Sequence, residues 1–135
     1  MKRILTYGTF DLLHPGHINI LRKAREMCDE LFVGVSTDEF CIQKGKRTIL
    51  NYEQRKNVVE SIRYVDFVFP EMSLIDDKIL DGLNYDANMF VWGNDWEGTF
   101  DFLNDYGFEV KYLPRTPGIS TTEIKNNIYN IKDIE

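Results

Sequence analysis

The stretch RILTYGTFDLLHPGHINILRKAREMCDELFVGVS, residues 3–36, decides the fold. RILTY (3–7) is a short apolar run that stops at Gly8, as a strand does. From Ile18 the period changes. Ile20, Leu21, Ala24, Met27 and Cys28 fall on one helical stripe, with Pro15 and Gly16 at its entrance. LFVGVS (31–36) is apolar almost throughout, the pattern of a parallel strand covered on both faces. Strand, helix and strand within about thirty residues make one βαβ unit.

Outward from this unit the alternation continues. Asn51 with Gln54 reads as a capping box opening a helix whose inner face carries Val58, Val59 and Ile62. YVDFVF (64–69) reads as a strand stopped by Pro70, and Ser73 as the cap of a helix running to Leu83. NMFVWG (88–93) is the next strand, a short helix over 100–105 ends at Gly107, and FEVKYL (108–113) is the last strand. Ser120 with Glu123 opens a final helix, about 120–132, followed by Ile124, Ile128, Ile131 and Ile134 at helical spacing. That stripe serves either its own core or a subunit contact. The pattern predicts an α/β protein: a single-domain, doubly wound, Rossmann-like five-stranded parallel sheet with helices on both faces. No repeat or linker breaks the chain, so residues 1–135 read as one domain.

Composition narrows the function. The chain has 135 residues, 43% hydrophobic and 28% charged, with a net charge of -6. Its pI of about 4.9 argues against a broad basic face for nucleic acid. No apolar run approaches the roughly 20 residues that span a bilayer, and the opening MKRILTYGTF does not read as a signal peptide. Two cysteines, Cys28 and Cys41, with no CxxC pair, fit a reduced cytoplasmic chain.

In such a sheet, ligands bind beyond the carboxyl ends of the strands, and the polar segments of this chain collect there. The only two histidines, His14 and His17, stand three apart in GTFDLLHPGH, between the first strand and the first helix. A helix N-terminus offers free N–H groups and a positive dipole end, and imidazoles there can donate to phosphate. The alternatives are two capping histidines, or a zinc site for which only Asp11 is at hand. No GxGxxG or GxxxxGK[ST] occurs, so phosphate must be held by another device. QKGKR (43–47) places Lys44, Lys46 and Arg47 in a loop after the second strand, either solvated or facing an anion. PRTPGISTT (114–122) supplies Arg115, the backbone of Gly118 and Ile119, and the hydroxyls of Ser120, Thr121 and Thr122 at a helix start. In WGNDWEG (92–98), Asp95 could orient a ribose or a metal, while Trp92 and Trp96 either shape a base pocket or pack. Arg63 serves a salt bridge or a phosphate.

GTFDLLHPGH fits the HxGH motif of the nucleotidyltransferases, and RTPGISTT resembles the second signature of the cytidylyltransferase family. With STDEF, the lysine loop, RYVD and DWEGTFDFL, the likeness runs from about residue 3 to 128, and the sequence closely resembles the glycerol-3-phosphate branch of that family. The resemblance implies transfer of CMP from CTP to sn-glycerol 3-phosphate with Mg²⁺, by direct in-line attack without a covalent intermediate, in a homodimer. It implies a nucleotide site at Thr9, Phe10, His14, Pro15, Gly16, His17, Lys46, Asp95, Arg115, Thr116, Gly118, Ile119, Ser120, Thr121 and Thr122. Of these, His14, His17, Lys46 and Arg115 would be catalytic. Lys44, Lys78 and Arg63 would meet the acceptor, and Asp11 would be a metal ligand. Two positions depart from relatives: Asn94 replaces the first aspartate of GDDW, and Leu74 stands where a relative carries tryptophan. The rival readings are the same chemistry on another alcohol phosphate, with CTP or ATP, and a non-catalytic nucleotide- or flavin-binding module.

Overall fold

The computed structural model describes residues 1–134. Five strands, β1 (Arg3–Gly8), β2 (Glu30–Ser36), β3 (Phe67–Glu71), β4 (Met89–Gly93) and β5 (Glu109–Leu113), form one sheet in the order β3-β2-β1-β4-β5. All four pairings are parallel. Crossovers run through α1 (Pro15–Glu26), α2 (Asp38–Gln43), α3 (Tyr52–Glu60) and α4 (Lys78–Asn84), and α5 (Thr121–Ile134) closes the chain. Two 3₁₀ segments, Asn94–Trp96 and Asp101–Tyr106, follow β4. The doubly wound sheet read from the sequence is the sheet observed.

Each face of the sheet buries its own core. Ile4, Leu31, Val33, Val35 and Val91 meet Leu21 and Ala24 of α1 and Val59 of α3 on one side. Leu5, Tyr7, Phe69, Phe90 and Trp92 meet Phe100, Leu103 and Phe108 on the other. That second core is aromatic: the rings of Trp92 and Phe100 stack at 3.6 Å, and Tyr7 stacks on Trp92 at 5.5 Å. Gly34 makes room for it, because a Cβ there would stand 2.5 Å from the Tyr7 ring and 3.0 Å from that of Phe69.

Several elements differ from the sequence expectation. The Asn51–Gln54 capping box forms as expected. Of the apolar residues assigned to the α3 inner face, however, Val58 is 39% exposed, and Ile62 packs on the core from beyond the helix end. β3 starts at Phe67 and runs through Pro70, which does not stop it. β3 is an edge strand, where a missing N–H is tolerated. Ser73 caps no helix: its hydroxyl bonds Asp77 across a turn, and α4 begins at Lys78. The 100–105 segment is a 3₁₀ helix, and α2 arises where a polar loop was expected, capped by Thr37 through Phe40 N. On α5, Ile128 and Ile131 are each 57% exposed rather than packed, while the side chain of Ile134 lies outside the described residues. No helix among the described residues is long and apolar enough to cross a membrane.

Gly34→Ala is expected to destabilise the protein by about 1–3 kcal/mol through overpacking against Tyr7 and Phe69, measured as a lower urea midpoint at unchanged slope.

Candidate active site

β1 has β2 on one side and β4 on the other, so the chain reverses its winding between β1 and β4. A cavity of about 400 Å³ opens there, beyond the carboxyl ends of β1, β4 and β5. Its wall carries Thr9, Phe10, His14, Gly16, His17, Lys46, Asp95, Arg115, Thr116, Ile119, Ser120, Thr121 and Thr122. Of the expected nucleotide set, only Pro15 and Gly118 are not on the wall. Arg47, Thr48, Ile20, Trp96 and Lys125 also line it.

The two histidines are fixed by the helix they open. Phe10 and Leu12 take left-handed backbone conformations (φ 55° and 51°), which turn the chain sharply from β1 into α1. His14 is the α1 N-cap: its Nδ1 accepts from Gly16 N at 3.0 Å, and His17 Nδ1 accepts from His14 N at 3.1 Å. With both Nδ1 atoms accepting backbone N–H groups, each neutral ring carries its proton on Nε2, a free donor. Burial, then the charges of His14 and Arg115, pushes His17 down to about 4, and burial and Arg115 lower His14 as well. Both imidazoles are therefore neutral donors near pH 7 in the free protein. The rings stand 3.9 Å apart, and the first turn of α1 holds no acidic side chain to offset the dipole.

The surrounding loops are tied to this helix by buried charges. Arg55 on α3 is fully buried and gives Nε to Leu50 O, Nη1 to Thr9 O and Ser36 O, and Nη2 to Asp38 Oδ1. One guanidinium thus joins the ends of β1 and β2 to the basic loop. The sequence reading passed over Arg55, which looks like any charged residue on an exposed helix.

Asp11 makes the second tie. Its carboxylate, 3% exposed as a residue, accepts from Ile49 N and Leu50 N and pairs with Lys125 Nζ at 2.8 Å. Lys125 also donates to Arg47 O, and Thr121 Oγ1 donates to Asp11 O. Although burial works against it, these bonds hold the Asp11 carboxyl below its usual value. In this structure the Asp11 carboxylate is engaged by one loop, at residues 49–50, and by α5, rather than standing free for the metal role expected of it. The other wall carboxylate, Asp95, pairs with Arg115 Nη1 at 2.8 Å. No group of three metal-ligating side chains occurs among the described residues.

The three residues expected at the acceptor do not reach the cavity wall. Lys44 comes nearest, with Nζ 3.4 Å from Thr9 Oγ1 and 3.1 Å from Ser36 Oγ. Lys78 is fully buried, donates to Ser73 O and Asp77 Oδ1, and is ion-paired with Glu71 Oε2 at 3.0 Å. Arg63 is exposed, with its guanidinium on Tyr64. It precedes β3, and the neighbouring Asp66 bonds Leu31 at the start of β2, so Arg63 lies at the amino edge of the sheet, opposite the cavity.

A cationic, histidine-capped cavity at the switch point of a parallel sheet places the molecule among the nucleotidyltransferases. The chain belongs to the cytidylyltransferase-like family, whose sequence profile matches residues 5–127. It is 57% identical over 129 residues to a glycerol-3-phosphate cytidylyltransferase of Staphylococcus aureus, covering 96% of both chains. It is 54% identical over 128 residues to the protein of the same name from Bacillus subtilis, covering 95% of this chain and 98% of that one. A lipopolysaccharide core biosynthesis protein from Thermoplasma volcanium superposes with a TM-score of 0.72 at 25% identity, over 86% of this chain and 97% of that one.

Two outcomes test this geometry. In ¹⁵N-imidazole spectra His17 should stay neutral down to about pH 4 in the free protein and titrate at higher pH once triphosphate is added, because an adjacent anion favours the charged ring. Arg55→Met leaves three carbonyls without their partner and is expected to cost about 3 kcal/mol in urea denaturation.

Proposed function

We propose that the protein transfers CMP from CTP to sn-glycerol 3-phosphate, giving CDP-glycerol and pyrophosphate. The observation that carries this is the convergence of His14, His17, Lys46 and Arg115 on one cavity at the N-terminus of α1. The relatives of 54–57% identity are glycerol-3-phosphate cytidylyltransferases, which supports a cytidine nucleotide and this acceptor.

The triphosphate lies against α1, where the N-terminal N–H groups and the two Nε2–H donors meet its oxygens. Lys46 and Arg115 supply full positive charge, Arg115 exchanging Asp95 for a phosphate. The acceptor's phosphate oxygen is already anionic, so no side chain need take a proton or form a covalent bond. That oxygen attacks the α-phosphorus in line. The new O–P bond forms as the bond to the β-phosphate bridge breaks, and the electron pair leaves on pyrophosphate. Catalysis is positioning plus stabilisation of charge moving onto the leaving group. Lys44, beside Thr9, receives the acceptor phosphate. Mg²⁺ bound with the nucleotide would supply neutralisation of the phosphate charge, and Asp95 is the wall carboxylate that would face it once Arg115 turns to the phosphate. The exposed Ile128 and Ile131 of α5 fit the expected homodimer.

The test is product identification after incubation with CTP, Mg²⁺ and glycerol 3-phosphate, with ribitol, ethanolamine and choline phosphates, and ATP, as competing arms. CDP-glycerol as the main product supports the reading; preference for another acceptor or for ATP replaces it. His17→Ala should lower turnover on the order of a hundredfold, as loss of one oxyanion donor does, in a protein that still folds.

A further inference from the structure

Behind Thr9, at the carboxyl ends of β2 and β3, lies a buried polar cluster that the transfer step leaves unused. Glu71, the last residue of β3, is 4% exposed and stands opposite Ser36 in the parallel register. Its Oε1 accepts from Ser36 Oγ at 2.7 Å, and its Oε2 pairs with Lys78 Nζ at 3.0 Å. Ser36 Oγ in turn accepts from Lys44 Nζ at 3.1 Å. A hydroxyl has one proton. The short contact to the Glu71 carboxylate claims it over Gly8 O at 3.3 Å, so Ser36 meets Lys44 with a lone pair.

The two lysines around Glu71 differ. Lys78 donates to Ser73 O and Asp77 Oδ1 and is ion-paired directly with Glu71 and Asp77, so its charge is already matched. Lys44 is half-buried over the Phe40 ring, with two hydroxyls as acceptors and no carboxylate at ion-pair distance among the described residues. A carboxylate in direct contact would neutralise it and occupy it. A carboxylate one hydroxyl away holds the proton on Lys44 yet leaves an N–H for an incoming anion.

The geometry points to Glu71 as a positioning residue: through Ser36 it is the displaced counter-charge that keeps Lys44 protonated and directed at the acceptor's phosphate. This rests on the reading of Lys44 as the acceptor's ligand. Burial pushes the Lys44 ammonium below its usual value, and Lys46 and Lys78 push the same way; Glu71 is the strongest opposing influence, ahead of Cys41. On its other side Glu71 faces Lys78, Asp77, Asp81 and Tyr7, a group in which Lys78 is the one cation.

The test combines a ¹⁵N-lysine titration of Lys44 in the full chain without substrates and pH profiles of KM for glycerol 3-phosphate and for CTP. The proteins are wild type, Glu71→Gln, Glu71→Asp and the double variant Glu71→Gln with Lys78→Met. The double variant removes the buried pair as a pair, so that no unpaired ammonium is left to unfold the chain. Lys44 should titrate at lower pH in both Gln variants. KM for glycerol 3-phosphate should rise on the order of tenfold at about pH 9, while KM for CTP stays put and Glu71→Asp recovers most of the loss. An unmoved Lys44 titration in a folded Gln variant overturns the proposal, as does a parallel rise in both KM values. A shifted titration in a protein that makes no CDP-glycerol upholds the counter-charge and removes only the acceptor assignment.

Discussion

The site depends on one buried guanidinium. Arg55 sits where three loops must meet without a hydrophobic core of their own, and it satisfies carbonyls from each of them. A loop at the carboxyl end of a parallel sheet carries backbone acceptors that water would otherwise solvate. Burying them beside a phosphate site needs a donor with several N–H bonds in a fixed plane, which arginine has and lysine lacks. The Asp11–Lys125 pair repeats the device from the opposite sign, accepting the N–H groups of residues 49 and 50 and anchoring α5. Between them these two charges set the distance from the basic loop to the histidines.

That framework explains how an acidic protein builds an anion site. The net charge is -6, yet Lys46, Arg47, Arg115 and Lys125 all line one cavity. The acidic groups nearby are all committed: Asp11 to Lys125, Asp95 to Arg115, Glu71 to Lys78. Neutral imidazoles add donors without adding repulsion between adjacent cations, which two protonated rings 3.9 Å apart would suffer.

What was legible in the sequence follows from how local each signal is. The βαβ unit, the Asn51–Gln54 box and the His14–His17 pair are written in contiguous residues, and all appear as read. α2 was missed because six residues carry too little periodicity, although Thr37 followed by Asp38 and Glu39 is a helix-start signal. Pro70 misled because its effect depends on whether the strand is central or at an edge, a property of the finished sheet. Of the site, the residues in motifs were found on the cavity wall, whereas Arg55, Glu71 and Ser36 escaped. The bonds that tie Arg55 to Thr9 and Ser36, and Ser36 to Glu71, span 19 to 46 residues, and no pattern in one sequence pairs them. For Arg63 and Lys78 the sequence places a charge, and only packing decides its surroundings: Arg63 lies at the amino edge of the sheet, and Lys78 pairs with Glu71 and Asp77.

The most direct measurement is a crystal structure with CTP bound. Phosphate oxygens within hydrogen-bond reach of Nε2 of both His14 and His17, with Arg115 turned from Asp95 onto the triphosphate, is the result this account predicts. A nucleotide seated elsewhere, or imidazoles turned away from its phosphates while Arg115 keeps Asp95, would contradict it.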